Sequence, residues 1–513
     1  MKAQGIVRAL AAALLIAAVD FSSVAAEEAT NVSGARSPEN DNSRLPSSIY
    51  EPVSDSISQT DAAHEAIPVV WDAPPDSTPL SPPTEAAPAR PAESVDSVES
   101  TTRFSTSDLT SSDSPEQVSD ELAIVLGGTQ TLRINGQMQI DALWFSQTDA
   151  SRVAVGDAPD AFDFRRAWLM VSGETGEVFN YALAMDFAQG TATNGRPRFL
   201  DAFVGVKDLP YVNNLRVGHT YEPFSLERLT SSRYMEFLER SLANAFAPGR
   251  NIGIMIFSAT DDERATWALG TFRASDNFGD DAGDQEGQTL TGRVTWLPMY
   301  DEASGGQRYL HLGGGYSFRH AGDGNIQYRS RPEAFGKSTS EGVATPFFVD
   351  TGVLSAHDAS LLGLEAVWVN GPLSVQGEWI YAPVDRAKGP DVGFSGGYIF
   401  VSYFLTGEHR PYIRQLGIMD RVVPHENFFR VRTDGGPIAT GSGAWEAAFR
   451  VSHIDLSDED VRGGELTDLT AGLNWYLTPY VRMKVNLIRS YRNGPPNGHS
   501  NATILGLRWD VDF

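Results

Sequence analysis

Cysteine is absent from the 513 residues, which excludes disulfide bonds, thiolate metal ligands and a cysteine nucleophile. Histidine is scarce: there are nine, and none stands in a recognisable serine or aspartate catalytic motif. After the first 26 residues, no stretch approaches the roughly 20 apolar residues that a membrane-spanning helix requires. These absences argue against an enzyme, including a lipase or protease built into a barrel, and they indicate no metal site and no cofactor.

The first 26 residues are organised as an export signal. Lys2 and Arg8 precede the apolar run 9–19, and small residues at 24–26 supply a cleavage site. We therefore expect a signal peptide over residues 1–26. The mature chain would then leave the cytoplasm without a helical anchor.

Negative charge predominates, with a formal net charge of -26, and much of it lies directly after the predicted signal. Residues 27–121 contain 19 acidic against 4 basic residues among Ser, Pro and Ala, with few aromatic residues. Such a segment cannot bury enough apolar area to offset its chain entropy. We expect residues 27–125 to be disordered, and the acidity indicates no nucleic-acid partner.

From residue 126 the pattern changes to a period of two. In the stretch LRINGQMQIDALW, Leu132, Met138 and Ile140 alternate with polar residues such as Gln137 and Gln139. This alternation is typical of a strand with one apolar and one polar face. It returns in later stretches: WEAAFRVS (445–452), VRMKVNLI (481–488) and TILGLRWDVDF (503–513).

Two kinds of β protein share this alternation. In a soluble sandwich the apolar faces form a dry core, whereas in a transmembrane barrel they contact lipid and the polar faces line a wet interior. The export signal, the many strands and the terminal Phe513, which resembles the assembly signal of bacterial outer-membrane barrels, favour the barrel. Because an open sheet edge is costly in lipid, we predict a closed antiparallel β-barrel over residues 126–513, with an even number of strands near 16.

One long connection interrupts the predicted strands. The stretch 224–250 carries Arg228, Arg233 and Arg240 together with Ser231 and Ser232, and it is far longer than a hairpin turn. Folded into a wide barrel, it would place guanidinium and hydroxyl groups in a narrow, partly desolvated space that attracts anions. A second interpretation is equally open at this point: the arginines form ion pairs within the loop and only hold its shape. Their partners would then be Glu227, Glu236 and Glu239.

Seven fragments in order resemble the phosphate-selective porins of the O and P type. They are FRRAWLMVSG (164–173), YALAMDF (181–187), FLDAFVGV (199–206), LRVGHTYEPFSLERLTSSRYMEFLERSL (215–242), YFLTGEHRPY (403–412), GAWEAAFRVS (443–452) and LTAGLNWYLTPYVRMKVNLI (469–488). The resemblance runs from about Leu132 to Phe513. It implies a porin whose inward loop binds phosphate or polyphosphate at the narrowest point of the pore.

The resemblance also assigns residues to the pore. It implies an anion-binding constriction and a basic track along the lumen. The constriction comprises Arg228, Ser231, Ser232, Arg233 and Arg240, with Asp201 on the facing wall, and the track comprises Arg165, Arg166 and Arg216. Neighbouring strand residues face opposite ways, so Arg165 and Arg166 cannot both point inward from a regular strand. We expect one of them at a bend, at the loop end or at a subunit interface.

The sequence therefore predicts a passive anion-selective pore in the outer membrane of a Gram-negative-type bacterium, preferring phosphate or polyphosphate. Its expected partners are small anions, the lipid and lipopolysaccharide of that membrane, and the barrel assembly machinery. The resemblance implies a homotrimer. The alternative is a non-selective or structural porin that tethers the outer membrane through its N-terminal segment.

Overall fold

A computed structural model describes residues 122–125, 130–188, 197–275, 279, 287–337, 344–429, 440–496 and 498–513. The predicted signal peptide (1–26) lies outside these ranges. So does the predicted disordered segment (27–125), except for its last four residues. Those four form strand β1 (Leu122–Val125), which pairs with β2 from Leu122 opposite Ile134 to Val125 opposite Thr131. Sheet pairing therefore begins before residue 126.

Sixteen antiparallel strands form a closed barrel, as the sequence predicts. Each strand pairs with the next along the chain, and the last strand pairs with the first. The barrel strands are β2 (Thr131–Gln147), β3 (Ala161–Thr175), β4 (Phe179–Asp186), β5 (Arg198–Leu209), β6 (Asn213–Tyr221), β7 (Arg250–Ala259), β8 (Ala265–Arg273), β9 (Gln288–Tyr300), β10 (Arg308–His320), β14 (Leu354–Asn370), β15 (Leu373–Arg386), β16 (Val392–Phe404), β19 (Ala444–Asp458), β20 (Val461–Tyr476), β21 (Val481–Gly494) and β22 (Gly498–Asp512).

The seam between β2 and β22 closes the cylinder. Its register runs from Gln137 opposite Asp512 to Gln147 opposite Ala502. Beyond the last paired strand residue, the amide of Gly136 donates to the carbonyl of Phe513 at 2.8 Å, and the amide of Phe513 donates back at 3.2 Å. Closure pairs backbone groups that an open edge would expose to lipid.

The barrel is polar inside and apolar outside. On β2, Gln137, Gln139 and Asp141 are 0–1% exposed, whereas Met138 and Trp144, on the opposite face, are about 40% exposed. In a soluble fold, the large apolar side chains would be the buried ones. The structure thus confirms the predicted assignment of the two faces, with the apolar face outward.

Shorter elements lie in the connections. Their described residues form two helices and two 3-10 turns: α1 (Asp149–Val155), α2 (Leu226–Leu229), Leu242–Ala245 and Glu302–Ser304. The short strands are β11 (Asn325–Ile326), β12 (Arg329–Ser330), β13 (Val349–Asp350), β17 (Tyr412–Ile413) and β18 (Ile418–Met419). No helix within the described ranges has both the length and the apolar character needed to cross a membrane.

Described residues of three connections lie in the lumen, where the sequence predicted one inward loop. The first loop (222–249) joins β6 to β7, the second loop (321–353) joins β10 to β14, and the third loop (405–443) joins β16 to β19. The alternating strand directions place the first and second loops at one end of the barrel and the third at the other. Loops therefore enter the barrel interior from both ends.

Candidate functional site in the barrel lumen

The first loop lies against one side of the barrel wall. Its apolar side chains Phe224, Leu226, Phe237 and Leu238 are at most 1% exposed. Phe224 packs over Gly363 of β14, where a Cβ atom would lie 2.9 Å from its ring. Because Gly363 has no side chain, the loop can approach the sheet closely, and burial of its apolar side chains stabilises this position.

The carboxylates of the first loop bind cations outside that loop. Glu227 lies 3.0 Å from Arg450 of β19, and Glu239 lies 2.7 Å from Arg165 of β3. A third carboxylate, Glu236, pairs with Arg410 of the third loop. The interpretation that pairs these three glutamates with arginines of their own loop is therefore wrong. That interpretation pairs each glutamate with an arginine close to it along the chain, whereas in the folded barrel the partners come from the wall and from the third loop.

Two loop arginines hydrogen-bond to neutral acceptors instead. An Nη2 group of Arg228 donates to the carbonyl of Ala247 at 2.5 Å. Arg240 donates to the carbonyls of Glu227 and Thr230, each at 2.8 Å. Carbonyl oxygens fix the orientation of a guanidinium group without cancelling its charge. Both arginines are half-buried, so their charges act in a confined, poorly screened space.

The electrostatic surroundings of Arg228 indicate a cluster of cations. Burial lowers the pKa of the Arg228 guanidinium, and the neighbouring charges of Arg240 and Arg250 lower it further, although Tyr221 acts in the opposite direction. Like charges held together in this way disfavour each other's charged form. The first loop thus brings the predicted Arg228 and Arg240 close to a third arginine, which the sequence had not assigned to the site.

Arg250 is that third arginine, and it begins β7 at the end of the first loop. Its guanidinium group donates to a carboxylate oxygen of Asp201 at 2.7 and 3.0 Å, and it stacks 3.9 Å over the ring of Tyr221. Asp201 lies on β5 in the barrel wall, where it neutralises Arg250. Arg250 belongs to the same arginine-rich stretch, 224–250, which was the available signal for it.

The other predicted loop residues lie apart from this cluster. Arg233 donates to Asn135 Oδ1 and to the carbonyl of Gly136, at 3.0 and 3.2 Å, close to the seam of the barrel. Ser232 is buried and donates to Gln137 of the wall at 2.9 Å. Ser231 is half-buried and accepts a hydrogen bond from the amide of Arg233. The five predicted loop residues therefore divide into two groups.

A β-bulge resolves the problem of the two adjacent strand arginines. Gln139 of β2 pairs with Arg166 and the next residue pairs with Phe164, so Arg165 is the extra residue in β3. Both guanidinium groups then approach one carboxylate: Arg165 lies 2.7 Å and Arg166 3.8 Å from Glu239. The sequence rule holds for a regular strand, and a bulge adds the bend that it required.

Arg216 of β6 occupies an aromatic slot in the lumen. Its guanidinium carbon lies 4.0 Å from the centre of the Phe203 ring and 5.2 Å from that of Phe257. Its one hydrogen bond among the described residues goes from Nη1 to Thr220 Oγ1 at 3.2 Å, and no carboxylate of that part of the chain lies within 4.0 Å. Cation–π contact thus orients Arg216, which has no carboxylate in direct contact among the described residues.

Two arginines of the barrel wall, which the sequence did not assign to the site, bind carboxylates of the inward loops. Arg450 is 1% exposed and binds Glu227 of the first loop at 3.0 Å and Glu333 of the second at 2.7 Å. Arg508 of β22 binds Asp141 at 2.6 Å and Glu239 at 2.9 Å. Their signal in the sequence was a charge on the polar face of a predicted barrel strand.

Comparison with known proteins supports this architecture. A family model described as phosphate-selective porin O and P matches residues 132–513. Porin O of Pseudomonas aeruginosa is 26% identical over 416 residues, which cover 73% of this chain and 87% of that protein. An uncharacterised protein of Caulobacter vibrioides is 27% identical over 406 residues and 75% of each chain.

Among solved structures, the outer membrane channel DcaP of Acinetobacter baumannii aligns with 75% of this chain and 97% of its own, with a TM-score of 0.44 and 13% identity. The family model covers well over half of the sequence and the whole barrel. The chain therefore belongs to the phosphate-selective porin O and P family and is a porin of the outer membrane.

Proposed function

We propose that the chain is a passive anion-selective channel that prefers phosphate or polyphosphate. The observation that carries the proposal is the division of charge on the first loop. Its carboxylates Glu227, Glu236 and Glu239 are paired with cations, whereas Arg228 and Arg240 bind only neutral carbonyl oxygens. The half-buried side of the loop thus carries a net positive field.

Selectivity depends on this local field and not on the net charge of the chain. Salt screens charges beyond about 8–10 Å, so acidic residues far from the lumen weigh little against fixed charges in a narrow, poorly hydrated space. Guanidinium groups also match oxyanions well, because their planar arrangement of donors contacts two oxygens at once. A phosphate ion moving past Arg228 would exchange water for such donors.

The assembled state and the surroundings form part of the same proposal. The family to which the chain belongs supports a homotrimer, with the outward apolar faces of the strands in contact with lipid and the rim in contact with lipopolysaccharide. The outer-membrane barrel of this family supports delivery by the barrel assembly machinery. None of these partners requires a cofactor.

Planar-bilayer recording tests the proposal. In a KCl gradient, the reversal potential should lie between zero and the equilibrium potential of chloride. Added phosphate should block the chloride current. Arg228→Gln should weaken the block by about tenfold, since each lost charge-assisted contact is worth about 1.5–3 kcal/mol in free energy. The matched control is Arg308→Gln, which removes an exposed arginine paired with Asp301 at a turn.

Two results would overturn the proposal. A reversal potential near zero would favour the non-selective or structural porin instead. Equal block in Arg228→Gln and Arg308→Gln would remove the first loop from phosphate binding, even if the pore prefers anions.

A further inference from the structure

A cavity of about 180 Å³ lies beside the cation cluster, between the β5–β8 wall, the first loop and the third loop. One part of its lining is apolar and comes from Leu229, Phe257 and Ile418. The other part is polar and comes from Arg216, Thr220 and Asp201. An inorganic ion would make no favourable contact with the apolar part of the lining. The lining therefore suits a solute with one anionic end and one apolar end.

The charges around the cavity leave one cation for a ligand. Asp201 is neutralised by Arg250 at 2.7 Å, and the lining residue Arg293 is 4% exposed and pairs with Glu365 at 2.6 Å. Arg216 alone among these charged side chains has no ion pair in the described ranges, and it is held by aromatic rings and a hydroxyl group. An anionic head next to Arg216 would therefore meet an oriented guanidinium group that has no direct ion pair in the described ranges.

The size of the cavity limits the apolar end of the ligand. An apolar protein cavity of about 150 Å³ accommodates a benzene molecule, so about 180 Å³ has room for one ring and its substituent. Burying such a ring against Phe257 and Leu229 would add a favourable hydrophobic contribution that inorganic phosphate lacks. Binding pockets for small organic molecules commonly combine apolar walls with a few placed polar groups.

We propose that this cavity is a binding site for small organic anions, such as a phosphomonoester or carboxylate with a single aromatic ring. The anionic head binds Arg216 with help from Thr220, and the ring packs against Phe257, Leu229 and Ile418. The inference rests on the proposed anion channel and extends its substrates from inorganic phosphate to amphiphilic organic phosphates.

Block of the chloride current by a ligand series tests the site without any variant. The probes are inorganic phosphate, methyl phosphate and phenyl phosphate, applied to the wild-type channel in a planar bilayer. Phenyl phosphate should reach half-block at about a tenfold lower concentration than either of the other two, because only its ring fills the apolar part. Equal half-block concentrations for all three would overturn the inference.

Variants then locate the effect. Phe257→Ala should remove the advantage of phenyl phosphate over inorganic phosphate when both are measured on the same variant, and Arg216→Gln should remove the same advantage. The control is Ile254→Ala on the same strand, where the side chain is 50% exposed on the outer face. An unchanged advantage in both cavity variants would exclude this site.

The result separates this inference from the proposal on which it rests. A channel with a chloride preference and phosphate block but no advantage for phenyl phosphate would keep the proposed function and lose the organic-anion site. A channel with neither chloride preference nor block by any of the phosphates would lose both. If Phe257→Ala gives no channel, the wild-type ligand series still decides.

Discussion

The guanidinium group of Arg410 lies 2.5 Å from the carboxylate of Glu236, in an ion pair whose side chains are only 3% and 7% exposed. Glu236 belongs to the first loop and Arg410 to the third, and these two loops enter the barrel from opposite ends. The carbonyl of Arg410 also accepts a hydrogen bond from Tyr309 of the wall at 3.1 Å. The pair thus joins the two loops inside the lumen.

Glu236→Gln should loosen the third loop. Breaking a buried pair leaves an uncompensated charge and costs about 3–5 kcal/mol, part of which is relieved if the β17–β18 hairpin moves away. Amide hydrogen exchange followed by mass spectrometry should show about a hundredfold loss of protection in residues 410–419. Glu302→Gln is the control, because it removes an exposed carboxylate near Arg414 of the same loop. Equal protection in the two variants would contradict a joint at Glu236.

Gly136→Ala should weaken closure of the barrel. A Cβ atom at this position would lie 2.5 Å from the Phe513 ring and 2.7 Å from the Trp168 carbonyl oxygen, both well inside contact distance. The alanine variant should unfold at a lower temperature, and the measurement is the loss of the compact species on unboiled gels after graded heating. Gly292→Ala serves as the control, since its nearest neighbours lie at 3.3 and 3.4 Å. A midpoint equal to that of Gly292→Ala would show that the seam accommodates the methyl group.

The alternation of apolar and polar residues predicted most of the fold, because in a membrane barrel the polarity of a residue indicates the face of the strand on which it lies. Gln137 and Met138 are neighbours on β2 and therefore point to opposite faces of the sheet. Because the lumen is polar and the outer face is apolar, their polarity predicts that Gln137 lies inside. The strand number followed from length and closure. The bulge at Arg165 could not be predicted in this way, and the carboxylate that Arg165 binds, that of Glu239, lies 74 residues further along the chain.

The inward loops could be predicted only in part from the sequence. The first loop was predicted from its length and arginine content, whereas Glu333 and Arg410 lie in connections, 321–353 and 405–443, that are longer still but were not predicted to fold inward. They become part of the lumen only through partners such as Arg450 and Glu236, which are brought near by the closure of the sheet. Pairing between such distant residues is a property of the folded barrel and leaves no local pattern.

Arg450→Met should release the first loop from the wall. Arg450 binds both Glu227 and Glu333 in a site where all three side chains are at most 8% exposed, so its loss leaves two buried carboxylates facing each other. We expect a larger single-channel conductance and at least a tenfold weaker phosphate block. The matched control is Arg462→Met, at an exposed position on β20. Unchanged conductance and block in Arg450→Met would mean that packing alone holds the loop in place.

Glu239 tests the charge balance of the lumen directly, because its carboxylate lies close to three guanidinium groups, those of Arg165, Arg166 and Arg508. Glu239→Gln removes one negative charge from the confined space and should strengthen selectivity. In a KCl gradient the reversal potential should move further toward the chloride side, and phosphate should block at about a threefold lower concentration. Glu174→Gln, at a carboxylate 42% exposed and paired with Lys207, is the control.

The same variant predicts a particular pH dependence. Burial opposes the charge of Glu239, but Arg165, Arg166 and Arg508 outweigh it and hold the pKa of this carboxyl group well below its ordinary value. A carboxylate with a depressed pKa keeps its charge and its stabilising contacts as the pH falls through the ordinary range, and it loses them only near the depressed pKa. The difference in reversal potential between wild type and Glu239→Gln should therefore persist from pH 7 down to about pH 3.5, below the ordinary glutamate pKa of about 4.3. If the two channels converged as the pH fell from about 5 to about 3.5, Glu239 would be protonating at its ordinary pKa, and the three arginines could not be bound to it as closely as the structure has them.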